Sequence, residues 1–175
     1  MGENWLEKMQ QEGMTGEIMA AGRRAERYGL TLDRETAEVL AAARKDVLRE
    51  QRRVEFGAGI LPKLIYEFSD SAYMEQESYG ETLARLQEIF YLYKNETNDE
   101  ITDDELLHFM REQYENVCFG DLDYLEGTCL NIFAQAVRAG YEGYKESQGY
   151  GEYGRLDEVK RWDYELYLQA LSQLF

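Results

Sequence analysis

Apolar residues recur along this chain at intervals of three and four, the spacing of side chains on one face of a helix. Ile18, Ala21, Ala25 and Tyr28 form the first such stripe, with Thr15 as a candidate N-cap and Gly29 in the position that ends a helix. Residues 1–14 show no comparable spacing and are expected to be loosely ordered. A second helix is expected from Arg34 to Arg53, behind Thr31 or Asp33 as cap, with Leu40, Ala43, Val47, Leu48 and Val54 along one stripe. The string FGAGILPKL then breaks the pattern. Pro62 lacks an N–H and suits a first helical turn, which predicts a helix from about Leu61 to Ser69 with Leu61, Leu64, Ile65 and Phe68 inward.

Three longer stripes follow. Leu83, Leu86, Phe90 and Tyr93 predict a helix over Glu77 to Tyr93, and Leu106, Met110, Tyr114 and Val117 one over Asp103 to Phe119 that Gly120 ends. Leu125, Cys129, Ile132, Phe133, Ala136 and Val137 predict a third, from Leu122 to about Tyr144, at the centre of the core. Between about 140 and 155, Gly and Tyr alternate loosely and predict a loop, because glycine weakens a helix. The last helix begins near Leu156 and is apolar on more than one side, through Trp162, Tyr164, Tyr167, Leu168 and Leu171. Such a helix needs cover from two neighbours or from a second subunit. The pattern as a whole predicts an all-α fold, a single compact helical bundle of six to seven helices, with residues 15–175 as one domain.

Composition agrees with that picture. The chain has 175 residues, 44% of them hydrophobic, and a single Pro, enough for one core that needs neither disulfides nor metal. No cofactor is expected. The two cysteines, Cys118 and Cys129, lie in apolar stripes and read as buried thiols of a reducing, cytoplasmic protein. No basic start precedes an apolar run at the N-terminus and no membrane-length apolar run occurs, so neither an export signal nor a membrane partner is expected.

Charge narrows the partners further. Residues 1–70 carry 11 basic and 13 acidic side chains, whereas residues 71–175 carry 8 and 22. Nucleic acid and anionic lipid are bound by clustered Lys and Arg, so neither fits so acidic a chain. The one basic cluster, Arg44, Lys45, Arg49, Arg52 and Arg53, is interrupted by Asp46 and Glu50 at helical spacing and reads as a solvated, internally paired face.

Three segments offer candidate chemistry. YKNETNDEITDDELLHFM can be framed as a twelve-residue calcium loop, with Glu96, Asn98 and Glu105 at ligand positions three, five and twelve. The first ligand position is then Lys94, a cation, and the sixth is Asp99 rather than Gly. The loop is a degenerate look-alike, and no metal is expected. Thr102 and Glu105 instead fit a capping box for the helix that follows. His108, the only histidine, could form an acid/base or mononuclear site with Glu105, Asp104 or Glu112; a two-metal carboxylate centre would need a second His. In FGAGILPKL, Gly57 and Gly59 precede a helix start near Lys63, a place where backbone N–H groups can hold an anion, although no nucleotide-binding signature is present and a tight interhelical turn explains the same residues.

The strings LTLDRETAEVLAAARKDVL, RVEFGAGILPKLIYEFSDSAYM and YGETLARLQEIFYLYKNETNDEITDDELLHFM resemble a family of small, functionally uncharacterised bacterial proteins found mainly in Gram-positive anaerobes. With weaker matches at ERYGL and GDLDYLEGT, the likeness spans residues 16–138. It implies an intracellular bacterial protein and supplies no catalytic residues. The expectation for function is an acidic protein-interaction module that pairs with another protein or with itself through the C-terminal helix. A small-molecule binder or enzyme using the Gly57–Lys63 turn with His108 and nearby carboxylates is the alternative.

Overall fold

A computed structural model describes residues 2–143, and the side chains from residue 5 onward. The expected loop beyond residue 143 and the helix bearing Trp162, Tyr164, Tyr167, Leu168 and Leu171 lie outside the described residues, and the expected self-association with them. The described residues are helical and contain no strand, as an all-α fold requires. The chain divides into two units, Met1–Leu92 and Tyr93–Phe175.

In the first unit, α1 spans Gly2–Arg23, α2 Arg34–Glu50, α3 Ile60–Phe68, and α4 begins at Tyr79 and runs to Glu96. α1 starts well before the expected cap at Thr15. The Thr15 hydroxyl donates to the Gln11 carbonyl at 2.9 Å, four residues back, so it sits inside the helix and caps nothing. Gly29, at φ +81, closes the short 3₁₀ turn Glu26–Tyr28 that follows α1. Asp33 caps α2 by accepting the Thr36 N–H at 2.8 Å, and the Thr36 side chain first, then its N–H, draws the Asp33 carboxyl below its ordinary range.

α2 ends at Glu50, earlier than the stripe suggested, because Arg52 turns the chain with φ +58. Val54, expected inward, is therefore 86% exposed. The buried face of α2 is Ala37, Leu40, Ala41, Arg44 and Val47. α1 packs against both α2 and α3, and Leu61, Leu64, Ile65 and Phe68 of α3 and Leu83, Leu86 and Phe90 of α4 are buried as well. Each large aliphatic or aromatic side chain so buried contributes on the order of 1.5–3 kcal/mol.

In the second unit, α5 spans Asp103–Asn116 and α6 is composite: Leu122–Tyr124, a π-helical turn over Leu125–Cys129, then Leu130–Arg138. Thr102 and Glu105 close the expected capping box, with Glu105 N–H to Thr102 Oγ1 at 3.2 Å and Thr102 N–H to Glu105 Oε1 at 2.9 Å. α5 stops at Asn116, short of Phe119, and left-handed Phe119 and Gly120 reverse the chain. α6 stops at Arg138, before the expected Tyr144, and Gly140 follows at φ +104. The π turn places an extra residue in one turn. Leu130 and Ala134 thus join Leu125, Cys129, Phe133, Ala136 and Val137 in the core, while Ile132 is half-buried. Phe109 stacks on Phe133 at 3.8 Å between ring centres, and Tyr141 meets the other ring edge-on at 6.2 Å.

Candidate functional site

The FGAGILPKL turn is organised by a residue the charge pattern assigned to the surface. Arg44 is 1% exposed. Its Nε donates to the Gly57 carbonyl at 2.7 Å, its Nη2 to the Phe56 carbonyl at 3.4 Å, and its Nη1 to the Tyr91 hydroxyl at 2.8 Å. That hydroxyl donates in turn to Glu55 Oε1 at 3.2 Å, whose other oxygen takes Arg53 Nε at 3.1 Å. Burial pushes the Tyr91 phenol up to about 12, against the pull of the Arg44 charge and with help from Glu55. The solvated, paired face is real only at its exposed members, such as Arg49 beside Asp46 at 3.8 Å.

This arrangement accounts for both glycines. Gly57 and Gly59 hold φ +63 and +54, where side chains are strained. A Cβ on Gly59 would stand 2.5 Å from Arg44 Nη1 and Nη2. The turn's free N–H is taken by a carboxylate of the chain itself: Glu17 Oε2 accepts the Ala58 N–H at 2.9 Å. Lys63 is exposed on α3, one residue after Pro62. Between α1, α2 and the turn lies a cavity of about 430 Å³ that Met14, Glu17, Leu48, Phe56 and Gly57 help to line, with Phe56 90% exposed.

The calcium look-alike is filled by a side-chain cation. Lys94 is 7% exposed, and its Nζ lies 2.7 Å from the Ile101 carbonyl, 3.0 Å from Asp103 Oδ1 and 3.7 Å from Asp99 Oδ1. The ammonium of the first loop position thus sits among the oxygens of the segment. Asn98 and Asp99 both turn left-handed, at φ +56 and +58, and the Asp99 N–H returns to the Lys94 carbonyl at 2.9 Å. Thr97 donates its hydroxyl to the Tyr93 carbonyl at 2.7 Å. Arg138 binds the Glu96 carbonyl at 2.7 Å and its carboxylate at 3.2 Å, so two candidate ligands, Glu96 and Glu105, already have partners. Asn98 is exposed. No cluster of three or more His, Cys, Asp or Glu with metal-binding geometry occurs among the described residues.

His108 is half-buried on α5, with Nε2 3.6 Å from Glu112 Oε1 one turn on. Glu105 turns back to Thr102 instead of joining them. His108, Glu105 and Glu112 belong to the second unit, and Gly57, Gly59 and Lys63 to the first.

A feature the sequence did not flag is a groove of about 380 Å³ between α2 and the start of α4. Glu35, Val39 and Leu40 line one side, and Glu77, Tyr79 and Glu81 the other. Gln76 clasps the preceding loop, accepting the Thr31 N–H at 2.7 Å and donating to the Thr31 carbonyl at 3.1 Å. At the floor a Cβ on Gly80 would meet Thr36 Cγ2 at 2.6 Å, so the helices approach closely there. Val39 is 60% exposed. The three glutamates carry no ion pair with any described residue. The signal lay in Glu77 and Glu81, four apart at a helix start, facing Glu35 one residue after Arg34.

A family model described as a family of unknown function, DUF6323, matches residues 17–143. No curated protein and no solved structure matches the chain. No helix among the described residues is long and apolar enough to cross a membrane.

Proposed function

The chain belongs to DUF6323, a family of unknown function, and from that premise we propose that it is an acidic protein-interaction module whose first unit takes a basic segment of a partner protein. The observation that carries the reading is the α2–α4 groove, where Glu35, Glu77 and Glu81 surround exposed Val39 and no cation among the described residues pairs with them. Carboxylates around an apolar floor suit a segment with Lys or Arg flanking an aliphatic side chain. Charge sets approach and register, and the apolar contact holds the complex. The net charge of −16 supports it by favouring association with basic surfaces.

The test places a photo-crosslinking amino acid at Val39 in the full chain, in cells. The expected result is a discrete protein adduct whose yield falls at least tenfold when Glu77 and Glu81 are both changed to Lys. Absence of an adduct, or a yield indifferent to charge reversal, overturns the reading.

A second reading, a small-molecule binder, is favoured by the cavity against Gly57, which at about 430 Å³ is of ligand size. It places the ligand beside Phe56 and Met14. A thermal-shift screen in which Phe56→Ala abolishes a hit supports it, and hits that survive that change count against it.

A further inference from the structure

Cys118 lies just past the end of α5 and Cys129 ends the π turn of α6. Both side chains are buried, neither is in a disulfide, and their sulfurs stand 3.4 Å apart. The chain has two cysteines, so this pair is the one intramolecular disulfide the sequence can make. We propose that Cys118 and Cys129 are a reversible redox pair that closes to a disulfide by exchange with a low-molecular-weight disulfide of the glutathione class.

Distance is the first support. An S–S bond is about 2.05 Å long, so the sulfurs need to approach by about 1.4 Å. The backbone supplies the second. Phe119 and Gly120, directly after Cys118, are left-handed at φ +48 and +84, and Cys129 belongs to a five-residue π turn, Leu125–Cys129. Both are irregular stretches that a small movement can reset, unlike the middle of an α-helix.

The environment sets the order and speed of the steps. Burial raises both thiols above their ordinary range. Where Cys118 donates the S–H bond that joins the two sulfurs, Cys129 is the sulfur that ionises first and attacks; where Cys129 donates, the roles exchange. Exchange is accordingly slow at neutral pH and faster as pH rises. With Cys129 first, its thiolate attacks one sulfur of the oxidant and expels a thiolate, which takes up a proton. The Cys118 sulfur, on losing its proton, attacks the Cys129 sulfur of the mixed disulfide and expels the second thiolate. Two protons and two electrons thereby leave the pair, and the oxidant departs as two thiols. The product ties the end of α5 to the π turn of α6.

The test uses the full chain, incubated at pH 8 across ratios of reduced to oxidised glutathione, then acid-quenched, denatured and alkylated for intact mass. The expected result is a fall from two alkylatable thiols to none, with a mass loss of about 2 Da from two hydrogens and no glutathione adduct, reversed by reductant. Cys129→Ser should retain one alkylatable thiol or one adduct. The wild-type measurement decides alone should that variant fail to fold. Two thiols still alkylatable at every ratio, stable glutathione adducts without an internal bond, or a bond found only between chains each overturn the proposal.

Discussion

The Tyr91 hydroxyl accepts from Arg44 Nη1 at 2.8 Å while donating to Glu55 Oε1 at 3.2 Å, so a phenol stands between a buried guanidinium and a carboxylate. Its O–H dipole links the Arg44 and Glu55 charges without a direct ion pair between those two, while Glu55 also pairs with Arg53. Tyr91→Phe should destabilise the chain by about 1–3 kcal/mol, the cost of a buried polar group left without its bond. Arg44→Met should cost more, since the Gly57 and Phe56 carbonyls also lose their donor. Urea denaturation of both single variants and the double variant should give a coupling of about 0.5–3 kcal/mol. Additive losses would mean that the hydrogen bond carries little of the stability.

Alkaline pH tests the same burial. Burial pushes the phenols of Tyr91 and Tyr93 up to about 12, above the unfolded value of about 10. A group whose folded pKa is raised stabilises fully below its unfolded pKa and loses that contribution as pH climbs through the folded one. The urea midpoint should therefore fall between pH 10 and about 12. Tyr91→Phe and Tyr93→Phe should each flatten that fall. Variants that decline as steeply as the wild type would assign the loss to other groups.

Lys94 offers a third measurement. Replacing it with Met keeps the stem but removes the ammonium from Ile101, Asp99 and Asp103, with an expected loss of about 2 kcal/mol. Changing Asp103 to Asn as well should return part of that loss. The difference should hold in high salt, because Lys94 is buried; the exposed Arg34–Glu38 pair is the contrast, expected to contribute little and to weaken with salt. A loss that vanishes with salt would place the Lys94 ammonium at the surface.

What could be read in the sequence was what local chemistry decides. Pro62 marked the first turn of α3, whose inward residues were those expected, and Thr102 with Glu105 announced the start of α5. Arg44 was misread because its fate depends on carbonyls 12 and 13 residues away and a hydroxyl 47 away. A signal was nevertheless present: Arg44 follows Leu40 by four and precedes Val47 by three, which puts it on the buried stripe. Lys94 follows Phe90 by four in the same way. The π turn left no local mark, since Glu126, Gly127 and Thr128 fit an α-helical reading. Two of the segments with candidate chemistry close on α4: FGAGILPKL through Tyr91 and the calcium look-alike through Lys94.

The contact between Gly59 and Arg44 also constrains the order in which substitutions can accumulate. A methyl group at residue 59 would occupy the place of the guanidinium, which cannot withdraw without surrendering two carbonyls and a phenol. A lineage that shortens residue 44 first meets only the backbone strain of the positive φ at 59, whereas one that starts at 59 meets that strain and the clash with the guanidinium together. Descendants that have lost Gly59 should carry the smaller residue 44 as the older of the two changes.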